Sequence, residues 1–261
     1  MALGPDPNFR RIIAIGGGDF KRGTVLSIDQ GIISLCRKEN PQLLYIPTAN
    51  GDRIKFCERI IKPYFEDLGA DVDFLYLIRD KLSVEEIKKK LHSTDVIYVG
   101  GGNTLMMMRL WRRIGFDSIL KKAWISGKIL CGRSAGGICW FRFGNSDSHR
   151  YYNPQDNSLI RVRGLGLIDA SFCPHYNSEK LRRKSFQKMM RKTAGVGFGC
   201  DETCAIEFTD THWRVLSANP AQHVFGVFWK NREMIHEPIP AGAWYSLAGL
   251  SRGGRFDFQK N

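Results

Sequence analysis

The chain has 261 residues, 43% of them hydrophobic, which is enough to build one large α/β domain or two small ones. No run approaches the roughly 20 apolar residues of a membrane span and the N-terminus lacks a signal-peptide pattern, so we expect a soluble cytoplasmic protein without a membrane partner. The formal net charge of +13 is dispersed over short basic pieces, and no nucleic-acid-binding motif accompanies it, so we expect no nucleic-acid partner.

In the first half of the chain, short apolar runs alternate with segments of helical periodicity. The runs predict strands at 11–15, 42–46, 72–77, 95–99 and 128–131. The periodic segments predict helices at 24–37, 54–68, 83–91, 105–110 and about 116–124. Strands and helices in this alternation predict a parallel sheet covered by helices on both faces, with a site beyond the carboxyl ends of the strands.

The second half is less regular. Residues 143–163 predict a long loop, which is followed by a strand that ends at Pro174-His175 and by a basic helix at 179–192. Further strands are predicted at 197–200, 205–208, 213–216 and 224–229, the last three as an antiparallel hairpin region, and the tail from Glu237 is expected to pack along the surface. Because no repeat or linker divides the chain, we predict a single domain over 1–261 with a C-terminal extension from about 231.

The cysteines indicate neither a disulfide framework nor a zinc site. Their number is odd, and no pair has the C-x-x-C spacing. They predict buried reduced thiols, and we expect no metal and no cofactor. The seven positions are Cys36, Cys57, Cys131, Cys139, Cys173, Cys200 and Cys204.

A Gly-x-Ser-x-Gly turn joins the strand at 128–131 to a helix and has the pattern of a nucleophile elbow. Gly132 and Gly136 relieve crowding around Ser134, whose hydroxyl is then exposed beside the free N–H groups at the start of the helix. The alternative is a glycine-rich turn with a capping serine. Among the six histidines, His175 is the favoured general base because it also follows a strand end, whereas His149 lies in the long loop.

Three motifs in this order resemble the peptidase E family of serine peptidases, which includes aspartyl dipeptidases and cyanophycinases. They are Val99-Gly100-Gly101-Gly102-Asn103-Thr104, Gly132-Arg133-Ser134-Ala135-Gly136-Gly137 and Cys173-Pro174-His175-Tyr176. The resemblance covers residues 11 to about 229. It implies a three-layer αβα fold with a mostly parallel central sheet, similar to the flavodoxin-like class I glutamine amidotransferase domain but with serine in place of cysteine at the elbow.

The resemblance also implies site residues. Ser134 matches the nucleophile and His175 the base, while Gly101 or Gly102 supplies one oxyanion-hole N–H and Ala135 the other. Asn103 matches a residue near the amino-terminal group of the substrate.

The acidic third member has two candidates. Glu202 lies in a segment, Phe198 to Ala205, that is similar to the cyanophycinase-type Gly-x-Asp-Glu segment. Aspartyl dipeptidases of the enterobacterial type use an aspartate in the loop after the elbow helix, where this chain has Asp147. We favour Glu202, because it sits at a strand end and a rigid element holds a carboxylate better than a loop does.

The chain departs from the family pattern at Arg133, which precedes the serine. A guanidinium there could select acidic substrates, with Arg142, Arg150, Arg161 and Arg163 flanking the site from the long loop, or it could pair with a carboxylate of a loop. We therefore expect a serine exopeptidase or dipeptidase that cleaves short peptides after an aspartyl residue. The alternatives are a cyanophycinase-like hydrolase of β-aspartyl-arginine linkages and a non-catalytic binding relative. The expected partner is a small peptide substrate, and a homodimer is an open alternative to a monomer.

Overall fold

The computed structural model describes residues 10–230 and 232–250, which form two β-sheets with helices packed against them. The strands are β1 Ile12–Ile15, β2 Gln42–Ile46, β3 Asp71–Phe74, β4 Val96–Val99, β5 Ile129–Arg133, β6 Phe141–Ser146, β7 Ile160–Arg163, β8 Ile168–Cys173, β9 Gly197–Cys200, β10 Cys204–Phe208, β11 His212–Ser217, β12 Val224–Lys230, β13 Glu233–Ile239 and β14 Trp244–Ser246.

Most helices connect the strands of the parallel part. They are α1 Leu26–Ser34, α2 Ile54–Phe56, α3 Lys62–Glu66, α4 Val84–Ser93, α5 Thr104–Arg113, α6 Phe116–Ile125, α7 Ala135–Ile138 and α8 Arg182–Met190. A π-helical turn, Cys57–Ile61, joins α2 to α3, so the predicted helix over 54–68 is present with a wider turn in its middle. Short 3-10 turns occur at Thr48–Asn50, Ser148–Tyr151 and Leu247–Gly249.

The larger sheet has eight strands in the order β14-β11-β10-β1-β5-β4-β2-β3. Strands β1, β5, β4, β2 and β3 run parallel to one another, as the strand–helix alternation predicts. Strands β10, β11 and β14 extend this sheet in antiparallel pairing. The predicted mostly parallel central sheet is therefore confirmed.

Alternate side chains of β1 face opposite layers of the molecule. Ile13 and Ile15 join a buried cluster with α1 and the helical segment over 54–66. Ile12 and Ala14 face the other cluster, which contains side chains of α4, α5 and α6. Helices therefore cover both faces of the sheet, as a buried parallel sheet requires. The predicted three-layer αβα arrangement is confirmed.

A second sheet corrects the prediction of a long loop over 143–163. It has six strands in the order β13-β12-β9-β8-β6-β7, and both β6 and β7 include residues of the predicted loop. The polar residues of this segment are typical of a loop, which is why the strands are not predicted from the sequence. Two of these residues, Asn145 and Ser146, are buried in β6 and their side chains are hydrogen-bonded. One face of this sheet joins the core cluster of α4–α6 through Phe172 and Phe198, while α8 covers the other face.

The tail from Glu237 also differs from its prediction. Strand β13 forms the edge of the smaller sheet beside β12, and β14 forms an edge of the larger sheet beside β11.

Among the residues that the structure describes, no helix combines the length and the apolar character needed to cross a bilayer.

Candidate active site

The turn after β5 holds Ser134 in a strained backbone conformation, with φ 54° and ψ −111°. Such a conformation persists only where the surrounding structure enforces it. Close packing enforces the conformation of Ser134. A Cβ added at Gly136 would lie 2.0 Å from the carbonyl oxygen of Val99, and a Cβ added at Gly132 would lie 2.5 Å from the carbonyl oxygen of Gly136. The elbow therefore forms because glycine at these two positions lets the turn pack directly against β4.

His175 approaches Ser134 from the end of β8. Its Nε2 lies 2.9 Å from Oγ of Ser134, which is hydrogen-bonding distance. The residue has a positive φ of 51°, and its backbone N–H donates to the carbonyl oxygen of Gly16 at 3.2 Å. A Cβ at Gly17 would lie 2.7 Å from the imidazole ring, so the glycine turn after β1 forms a wall against which the ring packs.

Glu202 contacts the other nitrogen of the same ring. Its Oε1 lies 3.1 Å from Nδ1 of His175 and also accepts a hydrogen bond from Oγ of Ser178 at 3.2 Å. The hydrogen bond with His175 is the main reason that the pKa of Glu202 is lowered, although partial burial opposes the shift. Ser134, His175 and Glu202 thus form one continuous chain of hydrogen bonds.

Asp201, for which the sequence predicts no role, holds the loop that carries His175 in place through hydrogen bonds. Its buried carboxylate accepts hydrogen bonds from the backbone N–H of Asn177 at 3.1 Å, from Nδ2 of Asn177 at 3.2 Å and from the N–H of His223 at 3.0 Å. Burial raises the pKa of Asp201. The sequence signal for this role is an acid at the end of an apolar strand.

The alternative acid, Asp147, is not brought to His175. Its Oδ1 lies 3.3 Å from Nη2 of Arg182, a buried side chain that also binds Glu179 at 2.7 Å. In the part of the chain that the structure describes, Glu202 is the carboxylate that contacts the imidazole of His175.

Backbone donors suited to an oxyanion lie on both sides of Ser134. Across the described ranges, the N–H groups of Gly101, Gly102 and Ala135 donate to no protein acceptor. A Cβ at Gly101 would lie 3.4 Å from Cβ of Ser134, so this loop passes directly beside the serine. Ala135 is the first residue of α7, where backbone N–H groups lack a partner within the helix.

Asn103, predicted to lie near the substrate, has a structural task in this protein. The residue is buried, and its Oδ1 caps α5 by accepting a hydrogen bond from the N–H of Met106 at 3.0 Å. Its own N–H donates to the carbonyl oxygen of Ala49 at 2.7 Å. These bonds fix the end of the loop that carries Gly101 and Gly102.

A pocket of about 290 Å³ opens beside Ser134 and His175. It combines aromatic and basic side chains, namely Phe20, Tyr45, Phe56, Arg53 and Arg133. Within the described residues, no three His, Cys, Asp or Glu side chains are grouped so that they could hold a metal ion.

Arg133 is buried at this pocket and pairs with a carboxylate of helix α1 rather than of a loop. Its Nη2 lies 3.2 Å from Oδ2 of Asp29, a buried residue of α1, and donates to Tyr98 at 3.5 Å. The guanidinium carbon lies 3.5 Å from the ring centroid of Phe20. Burial raises the pKa of Asp29, and the charge of Arg133 opposes that shift. Much of the charge of Arg133 is thus balanced by the protein.

The other predicted arginines do not line this pocket, which corrects the expectation that they flank it. Arg142 forms an ion pair with Asp169 at 2.9 Å, and Arg161 donates to Thr193 at 3.3 Å. Arg150 and Arg163, which are exposed, also lie outside the pocket lining.

Arg53 lines the pocket instead, and no local sequence pattern singles it out. It is exposed, and in the described ranges it forms no ion pair. It follows the turn beyond β2, whose carboxyl end lies beside that of β4. The sheet order that brings Arg53 to the elbow cannot be read from local sequence.

The sequence profile of Peptidase family S51 matches residues 12–216. The chain belongs to this family. It is 34% identical over 234 residues to the uncharacterized peptidase YgaJ of Bacillus subtilis, a match that covers 88% of this chain and 97% of that protein. It is 26% identical over 138 residues to Peptidase E of Streptomyces coelicolor, covering 52% of this chain and 51% of that protein.

Two solved structures share the fold of this S51 member. A peptidase from an acI-B1 Actinobacterium superposes with a TM-score of 0.70 at 20% identity, covering 92% of this chain and 98% of that chain. A putative Peptidase E protein from Listeria monocytogenes gives a TM-score of 0.60 at 24% identity, covering 80% and 98%. The expected membership of the peptidase E family is confirmed, and the family makes the protein a peptidase.

Proposed function

We propose that this S51 peptidase is a serine exopeptidase or dipeptidase that hydrolyses short peptides through an acyl-enzyme on Ser134. The observation that carries the proposal is the hydrogen-bonded chain with 2.9 Å from Ser134 Oγ to His175 Nε2 and 3.1 Å from His175 Nδ1 to Glu202 Oε1. A serine hydroxyl is a weak nucleophile by itself, and an adjacent oriented base is what activates it.

In the proposed reaction, Ser134 Oγ attacks the scissile carbonyl carbon while His175 Nε2 takes the hydroxyl proton. Glu202 stabilises the imidazolium that forms, and the lowered pKa of Glu202 keeps this carboxylate ionised at neutral pH. His175 then protonates the leaving amine. Water, deprotonated by the same imidazole, hydrolyses the acyl-enzyme and restores Ser134.

The negative oxygen of the tetrahedral intermediate is stabilised by the free N–H groups of Ala135 and of Gly101 or Gly102. Donors of this type act by being fixed in place before charge develops, and losing one commonly costs about 3–4 kcal/mol of transition-state stabilisation. The packing of the elbow against β4 supplies that rigidity.

The proposed substrate carries an aspartyl residue on the amino-terminal side of the scissile bond. The pocket volume of about 290 Å³ suits a short peptide, and Arg53 offers a guanidinium that no protein carboxylate in the described ranges balances. We assign the selection of the acidic side chain to Arg53 rather than to Arg133, because Arg133 is paired with Asp29.

A fluorophosphonate probe combined with hydrolysis of Asp-Leu tests the proposal. We expect covalent labelling of the protein but not of Ser134→Ala, and we expect Ser134→Ala to lower kcat by about 10⁴ or more. Ser118→Ala, which changes an exposed serine of α6, is the control and keeps both activities. A folded wild-type protein that is neither labelled nor able to cleave any dipeptide would instead be a non-catalytic binding relative.

A further inference from the structure

A second cavity, of about 580 Å³, lies between the β6–β7 hairpin and α8. Its lining shares no residue with the pocket beside Ser134. Four basic side chains line it, Arg161, Lys184, Lys188 and Lys192, and Leu181 and Met189 give it an apolar part. We call this cavity the basic groove.

The positive charges of the basic groove follow from the local geometry. Lys184 and Lys188 are four residues apart on α8, so they project from the same side of the helix, and Lys192 continues the row just beyond its end. The row spans roughly 12 Å, at a rise of about 1.5 Å per residue. Arg161 of β7 is the cross-strand partner of Asn145, whose Nδ2 donates to Ser185 of α8 at 3.0 Å, so the arginine is held across from the helix.

Within the described residues, no carboxylate pairs with the charge of the basic groove. Among the residues that the structure describes, none of the four basic side chains forms an ion pair. Arg161 donates to the hydroxyl of Thr193 at 3.3 Å, and its guanidinium carbon lies 4.8 Å from the ring centroid of Phe143. The acids nearest along the chain are engaged elsewhere: Asp156 contacts His149, and Glu179 binds Arg182. Like charges placed together in a concave surface create a positive potential that favours an anionic ligand.

The basic groove is joined to the strand that carries His175. Asn145 lines the groove, and its Oδ1 accepts from Sγ of Cys173 at 3.7 Å. Cys173 is the last residue of β8, two positions before His175. One wall of the groove is therefore attached to the same strand end as the imidazole.

We propose that the basic groove binds an acidic peptide segment. The four cations pair with its carboxylates, and Leu181 and Met189 contact its aliphatic side chains. Proteins that bind single-stranded nucleic acids commonly stack bases on aromatic side chains, and no aromatic residue lines this groove. A peptide that combines acidic and aliphatic residues matches both parts of the lining. This binding site is additional to the pocket proposed for the scissile residue.

Fluorescence anisotropy with the fluorescein-labelled peptide Glu-Leu-Glu-Glu-Leu-Glu tests the proposal. The titration uses Ser134→Ala protein at an ionic strength of about 0.1 M, so that distant charges are screened, cleavage does not interfere and binding is read independently of catalysis. We expect the substitution of Lys184, Lys188 and Lys192 by Glu, made together, to weaken binding about tenfold or more, since three attractive contacts become repulsive.

A second triple variant controls for net charge. Lys89→Glu, Lys121→Glu and Lys122→Glu change three exposed lysines of α4 and α6, so both triple variants alter the formal charge by the same amount. We expect this control to weaken binding less than about twofold, because none of its three lysines lines the groove and exposed charges farther apart than the Debye length, about 10 Å at 0.1 M, are screened. Circular dichroism verifies that both variants fold.

The remaining outcomes decide against the proposal. Equal loss in the two triple variants would show attraction by net charge alone, and equal affinity for the peptide with Gln in place of Glu would exclude a role for carboxylates. Absence of binding to the parent protein would also overturn it. Tighter binding of single-stranded DNA of equal charge, lost in the groove variant, would assign the groove to nucleic acid instead.

Discussion

The two ends of the Ser134–His175–Glu202 chain are held by different forces. Ser134 sits in a turn fixed by packing, where backbone atoms of β4 and the elbow leave no room for a side chain at Gly136. Glu202 has 44% of its side chain exposed and is held by hydrogen bonds with His175 and Ser178. Added volume should therefore damage the serine end, whereas changes of charge and pH should damage the carboxylate end.

Among the changes that separate the two ends, removing the charge of Glu202 gives the largest expected effect. Glu202→Gln keeps the size of the side chain but no longer stabilises the imidazolium, so kcat/KM for Asp-Leu should fall about a thousandfold or more. Asp147→Asn, the matched carboxylate-to-amide control, should lower kcat/KM less than about threefold, because Asp147 contacts Arg182 instead of the imidazole. The opposite ranking would move the orienting role to Asp147.

Adding volume at the serine end should act on folding. A methyl group at Gly136 would lie 2.0 Å from a backbone oxygen of Val99, which cannot move away as a flexible side chain could. Gly136→Ala should therefore lower the free energy of unfolding, measured by urea denaturation, by about 3 kcal/mol or more.

Gly31→Ala is the control for this prediction. Gly31 lies within α1, and a Cβ there would meet nothing within 4 Å. We expect this variant to be more stable than wild type by about 0.5–1 kcal/mol, because alanine loses less conformational freedom in a helix. Similar unfolding energies for Gly136→Ala and wild type would show that the elbow can relax.

Substrate selectivity should depend on the exposed arginine rather than the buried one. Losing a charge-assisted hydrogen bond costs about 1.5–3 kcal/mol, so Arg53→Met should reduce the preference for Asp-Leu over Asn-Leu by roughly ten- to a hundredfold. The measurement is kcat/KM for Asp-Leu, Asn-Leu, Glu-Leu, Ala-Leu and β-aspartyl-arginine.

Arg133→Met is the comparison variant, although it leaves Asp29 buried without its cation, so its unfolding energy must be measured alongside. An unchanged Asp/Asn preference in Arg53→Met would refute the assignment to Arg53. Equal cleavage of Ala-Leu and Asp-Leu by wild type would refute acidic selectivity, and cleavage of β-aspartyl-arginine alone would place the protein with the cyanophycinase-like members.

The smallest expected effect is on acid stability. The pKa of Glu202 is lowered from 4.5 in the folded protein, so its contribution to stability is fully present above about pH 4.5 and is lost as the pH falls through the lowered value. Wild type should lose more stability than Glu202→Gln on acidification through this range. Equal slopes of unfolding free energy against pH would show that the hydrogen bond with His175 does not favour the ionised form.

The sequence predicts those parts of the candidate site whose residues form a local pattern. The glycines around Ser134 follow from the elbow itself, and His175 follows a strand end, so the sequence predicts both positions. The rigidity of a strand end favours Glu202 over Asp147, and Glu202 Oε1 lies 3.1 Å from Nδ1 of His175.

The other features of the fold and of the site depend on contacts between segments that are far apart in the sequence. The buried polar residues Asn145 and Ser146 made β6 read as a loop, and nothing local indicates that β9 pairs with β12. The partner of Arg133 is 104 residues away in sequence, and only the order of strands brings Arg53 to the pocket. The signal that was available for Asp29 is an acid on the buried face of a helix, beside Ile28, Ile32 and Ile33.

The strand order also determines when each part of the site can find its neighbours during synthesis of the chain. Strand β5, which delivers Ser134, lies between β1 and β4, both of which are synthesised before it. Strand β9, which leads to Glu202, acquires its neighbour β12 only when synthesis has reached residues 224–230. Ser134 therefore leaves the ribosome before Glu202, so an unfinished chain holds the proposed nucleophile without the carboxylate proposed to orient its base.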